Sequence, residues 1–160
     1  MSDSSDHLST GNPRVKKPGL SGRSRSRVCV MKCFYQYFLG ESASRSSYSD
    51  LRSFLDSDID YLRCNKDYFE VLFAGVCDRL DKILECLAKH LDRPISSVTP
   101  VELSILVVSV FELLYERNVP APVVINEGIE LAKVYGGTDG YKYVNNILDK
   151  VFSDVKSGLV

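Results

Sequence analysis

The chain has no apolar run approaching the roughly 20 residues that a bilayer crossing requires. Its most apolar piece, Leu103 to Leu114, is shorter and holds Ser109 and Glu112, which excludes a transmembrane span. The first eleven residues carry Asp3 and Asp6 and no apolar core, so they do not read as a secretory signal, and a cytoplasmic protein with no membrane partner is expected. Cys-x-x-Cys pairs are absent as well. The five cysteines, Cys29, Cys33, Cys64, Cys77 and Cys86, are odd in number. Four of them fall among helix-like apolar residues, where a reduced thiol packs as a small hydrophobe, so a disulfide framework is not expected.

Histidine is scarce. Only His7 and His90 occur, which leaves a Cys–His or Ser–His nucleophile a single candidate base outside the N-terminal stretch. No catalytic residue is assigned, and the chain is not read as an enzyme. Cys86 and His90 are four apart, as are Cys29 and Cys33, but neither pair is accompanied by the second pair that a four-ligand zinc site needs. The run Asp56-Ser57-Asp58-Ile59-Asp60 imitates the opening of a calcium loop. Tyr61 stands where Gly makes the sharp turn, however, and Asp67 where a bidentate Glu closes the loop. It reads as a solvated acidic loop, and neither a metal nor a cofactor is expected. The stretch Gly136 to Gly140 follows a helical pattern and carries Asp where a phosphate-binding loop presents Lys, so it is a helix-to-helix turn.

What the sequence does contain is unevenly spread charge. Its 160 residues, 44% hydrophobic, suit one compact core. The 20 basic and 21 acidic residues nearly balance, yet positions 14 to 32 hold Arg14, Lys16, Lys17, Arg23, Arg25, Arg27 and Lys32 with no acid among them. A cationic segment attached to an acidic body is the asymmetry expected of a protein that meets a polyanion at one end.

Periodicity divides the chain into a flexible tail at 1–22, a helical domain at 23–155 and a short C-terminal tail at 156–160. The first stretch has no aromatic residue and cannot bury enough surface to offset chain ordering. From Arg23 to about Gly40 an amphipathic helix is expected, with Val28, Met31, Tyr35 and Phe38 on one side and Arg25, Lys32 and Gln36 on another. A short helix around Leu51, Phe54 and Leu55, capped by Ser49, precedes a long helix or two in series over Lys66 to Leu91, with Gly75 as a weak point.

Thr99, Pro100 and Glu102 mark the start of a helix reaching about Arg117. It is apolar except for a narrow stripe of Glu102, Ser109, Glu112 and Glu116, as the hub of a core would be. The next helix places Val124, Leu131 and Tyr135 on one side. Gly136 and Gly137 are expected to stop it in a left-handed C-cap, and Thr138 to cap a last helix whose buried side is Tyr141, Val144, Leu148, Val151 and Phe152. No segment alternates as a strand does. The expected fold is all-α, with six or seven helices packed as one bundle or as two smaller bundles sharing the central helix.

The run Arg23-Ser24-Arg25-Ser26-Arg27 spreads three guanidinium forks over a broad arc of its helix, and Lys32 extends the cationic segment; phosphate backbones suit such an arrangement. Of the aromatic residues that follow, Phe34, Tyr35, Tyr37 and Phe38, a subset can stack on unpaired bases, although helical spacing places most of them in the core.

The segment Val123-Val124-Ile125-Asn126-Glu127-Gly128-Ile129-Glu130-Leu131-Ala132-Lys133, followed by Tyr143-Val144-Asn145-Asn146-Ile147-Leu148-Asp149-Lys150, closely resembles the C-terminal signature of the NusB transcription antitermination factors. The resemblance extends to the Arg-rich first helix with Cys29 and Tyr35, to Tyr68-Phe69, to Ala74-Gly75-Val76 and to Val101-Glu102. It implies an all-helical fold of two small subdomains sharing a central helix, and an RNA-binding factor that pairs with the small-subunit ribosomal protein NusE, grips the single-stranded boxA element of ribosomal RNA leaders and joins the RNA polymerase antitermination complex. By position it implies RNA contacts for Arg23, Arg25, Arg27, Lys142 and Tyr143, to which the cationic Lys32 is added. It implies partner contacts for Tyr35, Glu102 and Asp139. Gly128 stands where the family usually has Ala, and Asn146 where it usually has Gly. The competing reading is a protein–protein adaptor or homodimer whose first helix is occluded and binds no RNA.

Overall fold

A computed structural model describes residues 20–40 and 48–160. Six α-helices account for most of them: α1 (Gly22–Leu39), α2 (Ile59–Arg63), α3 (Lys66–His90), α4 (Pro100–Tyr115), α5 (Ala121–Tyr135) and α6 (Gly140–Lys156). Three 3-10 turns lie at Asp50–Arg52, Leu55–Ser57 and Ile95–Ser97, and the described residues include no strand. A break at Arg79 (φ −124°, ψ 15°) divides α3 into two helical halves in series. The expectation for 1–22 falls mainly on residues outside those described.

The hub is α4. Every residue from Leu103 to Leu113 is buried, because this helix packs against α1 and α3 on one side and α5 and α6 on the other. Its start is as expected: Thr99 Oγ1 accepts the Glu102 backbone N–H at 3.3 Å, with Pro100 as the first helical residue, where a missing N–H costs nothing. Two groups of helices, α1–α3 and α5–α6, thus share one central element.

Glycine makes the helix crossings close. A Cβ at Gly75 would lie 2.1 Å from Cζ of the buried Phe111 ring, so α3 meets α4 there with no room for a methyl group. A Cβ at Gly128 would lie 2.9 Å from Ser109 Oγ and 3.0 Å from Leu148 Cδ1, so the missing methyl offsets the lower helix propensity of glycine by allowing α5 to settle against α4 and α6.

Several local expectations change. Gly136 is extended (φ −81°, ψ 171°), and the left-handed residue of this turn is Asp139 (φ 63°, ψ 5°), which also occupies the cap position of α6 in place of Thr138. Gly136 is needed for space instead, since a Cβ there would fall 2.6 Å from the Ala132 carbonyl oxygen. Ser49 has helical φ and ψ and leads into a 3-10 turn instead of capping an α-helix. Tyr135 is exposed, not part of the buried side of α5.

Candidate nucleic-acid interface

The alternation of serine and arginine in α1 separates two environments. Successive helical residues are about 100° apart, and the serines turn inward. Ser24 Oγ donates to Glu127 Oε1 of α5 at 2.8 Å. Ser26 Oγ lies 3.0 Å from the Gly22 carbonyl oxygen and 2.6 Å from that of Asn65, tying α1 to the start of α3. Ser21 caps the helix, its Oγ accepting the Ser24 N–H at 3.0 Å. Only a short hydroxyl side chain fits these approaches while satisfying backbone acceptors at the junction.

The basic residues then divide by depth. Arg27 is buried. Its Nε and Nη2 donate to the two carboxylate oxygens of Glu112 at 2.7 and 2.9 Å, its Nη1 lies 3.6 Å from Glu127 Oε1, and the Tyr68 hydroxyl donates to Glu112. The side chains of Arg27 and Glu112 are only 4% and 1% exposed. Burial works against the charge on Arg27, but the fork-to-fork hydrogen bonds with Glu112 and the negative charge around it, from Glu112 above all, together outweigh it and hold the guanidinium above its ordinary pKa. Burial and the neighbouring Glu112 push the Tyr68 hydroxyl pKa well above the ordinary phenol value. The polar stripe of α4 is therefore no solvated edge: Glu112 is the internal counter-ion of the first helix. Arg27, expected among the RNA contacts, holds α1 to α4.

Arg25 and Lys32 are half-buried beneath the acidic segment read as a solvated loop. Arg25 Nη1 donates to Asp60 Oδ1 at 2.8 Å, and Lys32 Nζ donates to Asp58 Oδ2 at 2.9 Å and Asp60 Oδ2 at 3.1 Å. Asp58 also caps α2, accepting the backbone N–H groups of Asp60 and Tyr61. Burial opposes the charge of Asp58, but the hydrogen bonds from Lys32 and from the helix start hold its carboxyl below the usual range. Arg23 differs from the others. It is exposed, its guanidinium lies 4.5 Å above the centre of the Tyr68 ring, and among the described residues it has no carboxylate partner. Stacking of this kind orients a guanidinium without consuming its in-plane donors.

A second group of expected residues gathers where α4 and α6 begin. Glu102 approaches so closely that a Cβ at Gly140 would fall 2.7 Å from its Oε1, placing a carboxylate at the positive end of α6. Lys142 Nζ lies 3.3 Å from Asp139 Oδ1, both side chains being exposed. The Tyr143 ring lies under Arg93, 4.6 Å from its guanidinium carbon, and its buried hydroxyl has no hydrogen-bond partner among the described residues. Tyr35 belongs to neither group; it is half-buried on α1. Of the aromatics beside it, Phe34 is fully buried, and Tyr37 and Phe38 pack against its ring. The residues missed were Glu112, Asp58, Asp60, Tyr68 and Arg93. The one acid within the apolar run Leu103 to Leu114 was the available signal for Glu112, because a buried carboxylate requires a cationic partner.

Among the described residues no cluster of three or more candidate metal ligands occurs. His90 is engaged through both ring nitrogens, Nδ1 with the Cys86 carbonyl at 2.8 Å and Nε2 with Asp154 Oδ2 at 2.6 Å. The thiols of Cys33 and Cys77 are pushed up to about 12, mainly by burial. No described helix is long and apolar enough to cross a membrane.

The architecture is that of T. maritima NusB, with whose solved structure the chain superposes at a TM-score of 0.71 and 26% identity, covering 82% of this chain and 91% of that one. The NusB family pattern matches residues 24–153. The chain is 42% identical over 145 residues to the transcription antitermination protein NusB of Methylobacillus flagellatus, covering 89% of this chain and 92% of the relative. It is 39% identical over 140 residues to that of Dechloromonas aromatica, covering 86% and 82%. The chain belongs to the NusB family of transcription antitermination proteins.

Proposed function

We propose that the chain binds boxA-type single-stranded RNA of ribosomal RNA leaders together with the ribosomal protein NusE. In this reading it brings that pair to the RNA polymerase antitermination complex in the cytoplasm, acting by assembly and not by catalysis. The supporting observation is the exposed Arg23 guanidinium, oriented on Tyr68 at the open end of α1 beside the half-buried Arg25 and Lys32. Donors held at one helix edge suit a flexible phosphate backbone, and phosphate contacts need no base identity. Lys142 and Tyr143 are proposed to extend the RNA path. Tyr35, Glu102 and Asp139 are proposed to meet NusE, the two acids offering complementary charge to a basic ribosomal protein. Arg27 serves this function by fixing the angle of α1.

The test is a salt titration of boxA RNA binding, with and without NusE. Each single-strand phosphate contact adds about −0.7 to the log–log slope. Arg23→Ala is expected to weaken binding by about 1 kcal/mol, roughly fivefold, and to remove about 0.7 from the slope, with an unchanged circular dichroism spectrum. A flat titration instead supports the adaptor or homodimer with α1 occluded, which light scattering of the free chain distinguishes.

A further inference from the structure

Among the described residues, two cations on the edge of α1 are neutralised by the protein itself. Arg25 and Lys32 face Asp58 and Asp60, and Asp60 spans both cations, with one oxygen 2.8 Å from the guanidinium and the other 3.1 Å from the ammonium. A nucleic-acid phosphate would bridge the same two groups in the same way. These pairs differ from Arg27–Glu112 in a way that matters. Their side chains are 14–26% exposed, whereas those of the inner pair are sealed. The segment carrying the two aspartates is lightly anchored: α2 is five residues long with none buried, Ile59 and Leu62 are 57% and 62% exposed, and Tyr61, edge-on to Phe69, is its apolar contact with the core. Ion pairs that solvent still reaches are screened and contribute less net stability than their short distances suggest, and an equivalent anion can take the place of the carboxylate. Arg25 uses only Nη1 on Asp60, leaving guanidinium donors for an incoming oxygen.

We infer that Asp58 and Asp60 form a built-in phosphate mimic that covers Arg25 and Lys32 and must be displaced by RNA, so that it lowers affinity for arbitrary polyanions. This rests on the RNA-binding reading above. The cover makes Arg23 the first contact, and only RNA held by additional contacts or by a bound partner has enough binding energy to open the rest of the edge.

The test compares the full chain with Asp58→Asn/Asp60→Asn, using a fluorescently labelled oligouridylate and a boxA RNA. Asn keeps the shape and can still cap α2. The variant is expected to bind oligouridylate at least threefold more tightly, and to steepen the salt slope by about 1.4 as two further phosphates are engaged. The gain should be smaller on boxA RNA with NusE present. If the double variant loses its helical spectrum, Asp60→Asn alone, which caps no helix, is read in the same way with about half the slope change. Glu85→Gln, neutralising an exposed acid paired only with Lys89, is expected to change nothing. An equal gain from Glu85→Gln overturns the local mimic in favour of general net charge. Salt-dependent binding by the wild type that the aspartate variants leave unchanged or weaken overturns the inference while RNA binding stands. No salt-dependent binding by any of the chains overturns both.

Discussion

Arg27→Ala is expected to cost about 3–5 kcal/mol of folding stability, because it leaves the Glu112 carboxylate buried without its partner. Glu112 is 1% exposed, so solvent cannot replace the lost guanidinium, and the remaining hydrogen bond from Tyr68 satisfies only one of its oxygens. Since whole domains are stable by only about 5–15 kcal/mol, much of the population should unfold on mild heating or at low urea. The check is equilibrium urea denaturation followed by circular dichroism. The triple variant Arg27→Met/Glu112→Leu/Tyr68→Phe should recover most of the loss, because it removes both charges at once together with the buried hydroxyl that would otherwise lose its acceptor. A loss below about 1 kcal/mol for Arg27→Ala would place it among surface pairs and remove its structural role. Loss of RNA binding by an Arg27 variant is therefore no measure of an RNA contact; Arg23→Ala separates the two effects.

The second large effect is expected at Gly75. In an exposed helix, Gly→Ala would stabilise by about 1 kcal/mol. Here the added Cβ would sit 2.1 and 2.4 Å from two carbons of the Phe111 ring, so the ring must move by more than an ångström within a filled interior. Phe111 is 2% exposed and also contacts Tyr115, their ring centres 5.6 Å apart. Forcing one extra carbon into such a site costs about 1–3 kcal/mol, and Gly75→Val more than Gly75→Ala. Thermal denaturation should show both midpoints lowered. Gly75→Ala combined with Phe111→Leu should recover part of the loss by removing the atoms in conflict; an unchanged midpoint for Gly75→Ala would mean that the crossing has slack.

The features legible in the sequence are those governed by near neighbours. Apolar spacing placed the long helix at 66 to 91, within a residue of α3. The Thr99-Pro100-x-Glu102 motif marked the start of α4, and the density of apolar residues identified it as the hub. The resemblance in 123–133 and 143–150 led to the family. The illegible features depend on partners far along the chain. Arg27 and Glu112 are 85 positions apart, and Lys32 meets Asp58 and Asp60 at separations of 26 and 28. A basic run read alone looks like a free polycation, and an acidic run read alone looks like a solvated loop; only the fold shows that each is the counter-ion of the other. Gly136 misled for a related reason. Glycine just past the end of a helix suggests a left-handed residue, whereas here its lack of a side chain relieves a clash, and Asp139 takes the left-handed position.

The inward serines of α1 also govern what kinds of change this helix can survive. Ser24 and Ser26 are locked to Glu127, Gly22 and Asn65, so the azimuth of every guanidinium is set by hydroxyls that never meet the solvent. Inserting one residue ahead of Ser24 would advance the preceding segment by about 100° around the axis, swinging Arg23 away from Tyr68 while leaving the charge of the segment untouched. Exchange of an exposed side chain such as Arg23 is thus tolerated far better than a change of length: the helix works as a key whose teeth are cut at fixed angles.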